Sequence, residues 1–294
     1  SLQVFGVFGN KEISGRMERV MNFLPRSLVV LVMGDTAVAG SIPTIVGKFY
    51  QMSRLVIYLN SLTGTLPPQL GLVSALTRLD LWNNQFSGTL PSELGKLTSV
   101  TTVDFGSNNF VGTIPGELGF WVDCRSLFVN RNSLTGTIPT EVGNMLGLEV
   151  IEVGNNNLSG TIPAEISNSA NLIGFGVSGN QRLSGLIDVV LDVMPVTLSQ
   201  LYVGGTAIGG SLPTNIGRFY QMGELILEKN NLNGTLPSDV GRLSTMVKLD
   251  LFGNQMSGSL PPELGRLGAV TSLNFGSNNF LGTLASEFIA WRSL

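Results

Sequence analysis

The chain has 294 residues, including 37 glycines, 13 prolines, one cysteine and no histidine, and 17 basic against 20 acidic side chains give a net charge of -3. The missing histidine excludes His-based general acid–base chemistry, Ser-His-Asp and Cys-His nucleophile systems and His-ligated metals, and a lone cysteine excludes disulfide frameworks and Cys-rich zinc sites. The charge balance gives no electrostatic case for nucleic acid, a composition of 43% hydrophobic and 13% charged residues is not that of a disordered linker, and no apolar run approaches the roughly 18 residues of a membrane span.

From the N-terminus onward a phrase Gly-Thr-Leu/Ile-Pro recurs. Its glycines are Gly15, Gly40, Gly64, Gly88, Gly112, Gly136, Gly160, Gly185, Gly210, Gly234, Gly258 and Gly282, spaced by 24 or 25 residues. Fixed spacing over this length identifies a solenoid of about twelve coils spanning residues 1–294. The first coil departs from the phrase. The run from Gly15 to Met21, GRMERVM, lacks Leu/Ile-Pro and predicts a longer helix. In the following coils two apolar residues in a period of two predict one short strand each, at Leu55/Ile57, Leu79/Leu81, Val103/Phe105, Leu127/Val129 and Ile151/Val153. At Gly185 the run GLIDVVL departs as Gly15 does and predicts a second longer helix. Strands resume at Leu201/Val203, Leu225/Leu227, Leu249/Leu251 and Leu273/Phe275. Stacked coils give a parallel sheet with strands about 4.8 Å apart, roughly 55 Å long in all.

Three further columns have physical readings. The landmark glycine permits a tight turn with no side chain in the interior. Proline three residues later, as at Pro91 and Pro115, fixes extended backbone. A second glycine, as at Gly71, Gly95 and Gly119, is expected to end a short outer helical turn. A longer period overlies these. FYQM at Phe49–Met52 returns at Phe219–Met222, and GSNNF at Gly106–Phe110 returns at Gly276–Phe280, an offset of 170 residues or seven coils. A seven-coil block is expected to have been duplicated.

Four residues before the landmark glycine stand Asn60, Asn84, Asn108, Asn132, Asn156, Asn230, Asn254 and Asn278. Asn10 and Asn180 occupy the place in coils with an extra residue, and Thr36 and Thr206 fill the remaining two. A side-chain amide carries two donors and an acceptor. Where the chain turns inward after a strand, it can satisfy backbone groups that are costly to bury unpaired. The column therefore predicts a structural ladder rather than catalytic asparagines.

The phrase L-x-x-L-x-L-x-x-N-x-L-S/T-G-T-I/L-P-x-x-L-G, carried by Leu76–Gly95, resembles the plant-type leucine-rich repeat. The resemblance covers essentially the whole chain. It implies an α/β solenoid: a right-handed superhelix with a parallel sheet on the concave face, a second short strand near the Gly-Thr segment, and short helices or 3-10 turns outside. It also implies non-catalytic ligand recognition, with a protein, peptide or glycan partner and no cofactor, in an extracellular or cell-surface setting. Ectodomains of plant receptor kinases, receptor-like proteins and secreted polygalacturonase inhibitors act in this way. The paired-cysteine caps of those members are absent, and similar uncapped arrays occur in algal leucine-rich repeat proteins. The termini, Ser1-Leu2-Gln3 and Trp291-Arg-Ser-Leu294, carry neither a signal peptide nor a cap. Flanking coils or caps are therefore expected, and without them exposed stacking faces predict poor solubility. Two alternatives are an ice- or surface-binding protein and a designed or consensus-like scaffold.

Function in a solenoid is sought where columns break pattern. The outward strand positions and the turns that follow bring Arg54, Tyr58, Arg78, Asp80, Trp82, Asp104, Phe128, Asn130, Arg131 and Glu152 into one concave patch. Aromatic residues beside charged ones are typical of interface hot spots, although strands favour aromatics anyway. A weaker patch holds Tyr202, Glu224, Glu228, Lys229, Lys248, Asp250 and Phe252. Asp80, Asp104 and Glu152 are read as solvated surface acids, with no metal assigned to them. Residues beside the landmark glycine are often hydroxylic, as at Thr63/Thr65, Ser87/Thr89, Thr135/Thr137, Ser159/Thr161 and Ser257/Ser259, and predict two Ser/Thr rows on a lateral face. Val111, Gly209 and Leu281 interrupt them. Asn157 and Asn233 begin glycosylation sequons, meaningful only in a secreted protein. Cys124 falls in an apolar column and reads as a buried structural thiol.

Overall fold

A computed structural model describes residues 2–293; Ser1 and Leu294 lie outside the described residues. Twelve parallel strands pair in chain order, from Val4–Gly6 to Ser272–Asn274, and form one continuous sheet. The register repeats without a slip, so that Leu79 pairs with Leu55 on one side and Val103 on the other. Because strand side chains alternate, every middle residue points inward, and Leu31, Leu55, Leu79, Val103, Leu127 and Ile151 are buried in one column. The apolar core extends from Met17 to Val270 as one cluster. It includes the stacked pair Phe86–Phe110, with ring centroids 6.3 Å apart, and a fully buried Trp121 whose indole N–H donates to Leu94 O at 3.0 Å.

Second strands follow the turn. Six of them pair laterally from Ser14–Arg16 to Ser133–Leu134, four from Ser159–Gly160 to Asn231–Asn233, and two more at Ser257–Gly258 and Asn279–Phe280. The landmark glycine lies within or beside these strands at positive φ, between 73° and 93° in the ten coils from Gly40 to Gly282 other than that of Gly185. L-residues avoid that region. Its missing side chain faces the neighbouring coil rather than the interior: a Cβ on Gly112 would come within 2.8 Å of the Thr89 methyl.

The outer elements divide as their sequences do. Where proline opens the turn, as at Pro91 with φ -71° and ψ 138°, a five-residue 3-10 helix follows, Ser92–Lys96. In the coils of Gly15 and Gly185, where proline is missing, α-helices of seven residues form: α1, Met17–Phe23, and α2, Ile187–Val193; the coil of Gly282, with Ala285 in that place, keeps a 3-10 helix, Ser286–Ser293. Both α-helices are closed at the C-terminus by a cation from the next coil. Lys48 Nζ donates to Met21 O at 2.8 Å, and Arg218 Nη2 to Leu191 O at 2.6 Å.

The second-glycine column requires a correction. Gly95 lies inside the helix Ser92–Lys96 and does not end it. Its φ is not left-handed, and a Cβ there would come within 2.5 Å of Glu117 O in the next coil. Close approach of backbones is the reason for the glycine.

Candidate ligand-binding surface

The strand register sets the concave columns. Arg54 stands beside Arg78, and Val56, Asp80, Asp104, Phe128 and Glu152 follow one another across the sheet. Arg54 is exposed, while Tyr58, Arg78, Asp104, Phe128, Asn130 and Glu152 are partly covered. Trp82 is 36% exposed.

Asp80 differs from its expected exposure. It is only 7% exposed. Its Oδ2 takes the Arg78 guanidinium at 2.9 Å, and its Oδ1 accepts from Trp82 N at 3.4 Å. The same backward bond recurs where the column carries Asp or Asn: Asp104 Oδ1 accepts from Gly106 N at 2.8 Å, Asp250 Oδ1 from Phe252 N at 3.0 Å, and Asn274 Oδ1 from Gly276 N at 3.3 Å. An Asp or Asn that bonds its own backbone two residues on stabilises the turn out of the strand. These acids are therefore pinned rather than free in solvent.

Glycines in the outward columns create slots that larger neighbours fill. Trp82, Asp104 and Asn130 converge over Gly106, where an added Cβ would lie 2.9 Å from Asn130 Oδ1, 3.0 Å from Asp104 Oδ1 and 3.3 Å from Trp82 Cδ1. Tyr58 leans over Gly34, Glu152 over Gly176 and Glu228 over Gly204. Beside the Gly106 cluster, Phe8, Val32, Arg54, Val56, Tyr58 and Arg78 line a hollow of about 230 Å³. Phe8, 64% exposed, was outside the expected patch although it belongs to the same outward column.

Arg131 also differs. It stands at a corner beyond the sheet with φ 55°. The residue before each ladder position is left-handed throughout, including Asp35, Leu59, Asn83, Ser107, Asn155, Lys229 and Ser277, with glycine in other coils. The signal in sequence was the column's excess of Gly, Asn, Asp and Ser.

The ladder itself has repeated bonding. Asn84 Nδ2 donates to Ile57 O at 2.9 Å and Leu81 O at 3.1 Å, and its Oδ1 accepts from Leu62 N at 3.1 Å. Asn108, Asn132, Asn156, Asn180, Asn230, Asn254 and Asn278 bond across coils in the same way. Asn60 donates to Ile57 O at 3.1 Å and accepts from Thr36 Oγ1 at 2.5 Å. Thr206 Oγ1 lies 2.6 Å from Asn230 Oδ1. Asn10 departs from the ladder: it is exposed and donates to Phe8 O, at 2.9 Å, within its own coil.

In the second patch, Tyr202 OH donates to Glu224 Oε2 at 3.0 Å. Burial, and then that hydrogen bond, push the phenol upward. Burial, with Asp250 alongside, raises Glu228. Cys124 is buried, which pushes its thiol up to about 12 and leaves it unreactive. Asn157 and Asn233 are both exposed.

Two carboxyls of the first patch are displaced into the neutral range. Burial, with Asp80 alongside, raises Asp104 to about 6 against the pull of the Gly106 N–H and Arg78. Burial raises Glu152 to about 7. In the unfolded chain these groups titrate near about 4, so the fold favours their protonated forms. That stabilisation is full below about pH 4 and is lost as pH rises through 6 and 7. The chain has no histidine to titrate in that window. Acidification from pH 8 to pH 5 is expected to raise Tm by about 4 °C, allowing for solvent screening of partly exposed groups. The double variant D104N/E152Q should flatten the profile in calorimetry.

Among the described residues no group of three or more Cys, Asp or Glu side chains is placed to hold a metal ion, and no helix is long and apolar enough to cross a membrane.

The family model described as Leucine Rich Repeat matches residues 75–97, 147–169 and 245–267. Among solved structures, a TDR receptor is 30% identical with a TM-score of 0.88, over 100% of this chain and 50% of that one. The HAESA receptor kinase ectodomain of Arabidopsis, solved with an extended IDA peptide hormone, is 28% identical with a TM-score of 0.81, over 96% of this chain and 51% of that one. A plant ice-binding protein is 25% identical with a TM-score of 0.73, over 87% of this chain and 80% of that one. The chain thus spans about half the length of these two receptor structures. No curated protein sequence matches it significantly.

Proposed function

The chain is a leucine-rich repeat protein of the plant type, and on that premise we propose that its concave face binds a peptide or protein ligand without catalysis, outside the cell or at its surface. The observation that carries this reading is the convergence of Trp82, Asp104 and Asn130 over Gly106, beside the aromatic, two-arginine hollow of Arg54, Tyr58 and Arg78. Half-exposed aromatics flanked by guanidinium groups suit a hot spot. The HAESA ectodomain, solved with a peptide hormone, supports the ligand class and the setting. In that setting the exposed Asn157 and Asn233 are the expected glycan sites. Selection from a random-peptide display library tests the proposal. Peptides enriched on the chain should lose about a hundredfold in affinity for Trp82→Ala, and Arg54→Ala should weaken them further. Peptides that bind the variants and the parent equally would place recognition elsewhere.

A second reading rests on the lateral strands. Thr65, Thr89, Thr113, Thr137 and Thr161 stand exposed in successive coils, and the similar plant ice-binding protein supports this reading. Against it, the companion row is partly used within the fold: Thr135 Oγ1 donates to Gly112 O at 3.1 Å and Ser159 Oγ to Gly136 O at 3.3 Å. Absence of thermal hysteresis would remove it.

A further inference from the structure

The two α-helices occupy equivalent places 170 residues apart; buried positions exchange one apolar residue for another, and the changes of polarity fall at the surface. Met17 and Met21 of α1 correspond to Ile187 and Leu191 of α2, and all four are buried. At exposed positions the chemistry changes. Arg16 and Arg19 correspond to Leu186 and Val189, which are 52% and 56% exposed. The core does not require apolar residues at either place.

Leu186, Val189 and Val193 form one wall of a cleft of about 600 Å³. The opposite wall is Ile162, Pro163 and Ala164, on the coil before α2. The helix stands where other coils carry a five-residue 3-10 turn, so the outer ridge has a step and the cleft lies at its foot. The volume is in the range of small-molecule sites, which are mostly apolar with a few polar groups at the edge. Here the polar groups are the hydroxyls of Thr137, Thr140, Thr161 and Ser184, and the only charged residue in the lining is Glu165.

We propose that the cleft between α2 and the preceding coil binds a small apolar molecule with a neutral or cationic hydrogen-bond donor, its body against Leu186, Val189 and Ile162 and its donor toward Glu165. A carboxylate at the mouth disfavours an anionic head. An extended apolar peptide is a different occupant, and the test below separates the two.

The probe is N-phenyl-1-naphthylamine, titrated by fluorescence against the full chain, beside 8-anilinonaphthalene-1-sulfonate, which has the same apolar body with an anionic head. The neutral amine is expected to bind saturably at one site and more tightly than the sulfonate. The double variant L186R/V189R, which installs the residues of α1 at exposed positions, should lower its affinity about tenfold or more with Tm unchanged. Glu165→Gln should raise sulfonate affinity toward that of the amine. Trp82→Ala should bind the amine as the parent does, so failure here leaves the concave-face proposal standing. Equal binding by L186R/V189R, or an unchanged preference in Glu165→Gln, overturns the proposal. So does displacement of the amine by a short apolar peptide at concentrations where small aryl amines have no effect.

Discussion

Asn108→Leu lowers the unfolding free energy by about 3 kcal/mol in urea denaturation, whereas Asn10→Leu changes it by less than about 0.5. The two side chains come from one sequence column but differ in their neighbours. Asn108 is 8% exposed. Its Nδ2 donates to Leu81 O at 3.0 Å and Phe105 O at 3.2 Å, and its Oδ1 accepts from Phe86 N at 3.0 Å. Leu81 O also receives Asn84, at 3.1 Å, and Phe105 O also receives Asn132, at 3.0 Å. Leucine keeps the γ-branched shape, at somewhat greater volume, and removes every polar atom. Each carbonyl then retains one amide from the ladder, while the Phe86 N–H loses its side-chain acceptor in a dry environment. One buried unsatisfied donor costs about 1–3 kcal/mol, and two weakened carbonyls add to it. The loss sits between coils, so it should appear as uncoupling of neighbours, with the transition broadened as well as shifted. Asn10 has one bond, to Phe8 O, and faces water, so water replaces what leucine removes.

That contrast marks where sequence reasoning reaches and where it stops. Coil register, the inward column and the two longer helices were legible, because each depends on residues within a single coil, repeated at 24 or 25. What was not legible depends on side-chain bonds within a coil that spacing does not show, or on the coil next door. Asp80 reads as an exposed acid in its own strand, yet the Trp82 amide and the Arg78 guanidinium cover it. Gly34, Gly106, Gly176 and Gly204 read as bare surface, yet each is the floor under a neighbour's side chain. The left-handed corner before each asparagine was written in the sequence as a composition bias. At Leu59, Arg131 and Lys229, with φ from 51° to 55°, that bias fails and the fold imposes the conformation. Phe8 joins Arg54, Tyr58 and Arg78 only across Val32 and Val56, apolar residues that show nothing of a shared hollow in their own columns. The concave surface of this scaffold is thus shaped largely by contacts between adjacent coils.

The convex face obeys the same rule, and two glycines of one 3-10 helix, Gly116–Phe120, should respond to alanine with opposite signs. At Gly119 a Cβ would lie 2.5 Å from Glu141 O, 2.8 Å from Glu141 Cβ and 3.0 Å from Glu141 C. The obstruction is mostly backbone of the next coil, which moves only if the stack parts. Overpacking of that kind costs about 1–3 kcal/mol, so Gly119→Ala is expected to lower the urea midpoint clearly. At Gly116 the nearest atoms are the carboxyl group of Glu141, 3.1 to 3.4 Å away. Glu141 is exposed, and the end of its side chain can swing into solvent. Neither glycine has a left-handed φ, so alanine strains no backbone at either place. Gly116→Ala should therefore stabilise by about 0.4–1 kcal/mol, through the smaller entropy of the unfolded chain. Helix propensity alone favours alanine at both positions. If both variants were stabilised, propensity would govern the convex face and the coils would have room to spare; opposite signs three residues apart assign the second-glycine column to the distance between coils.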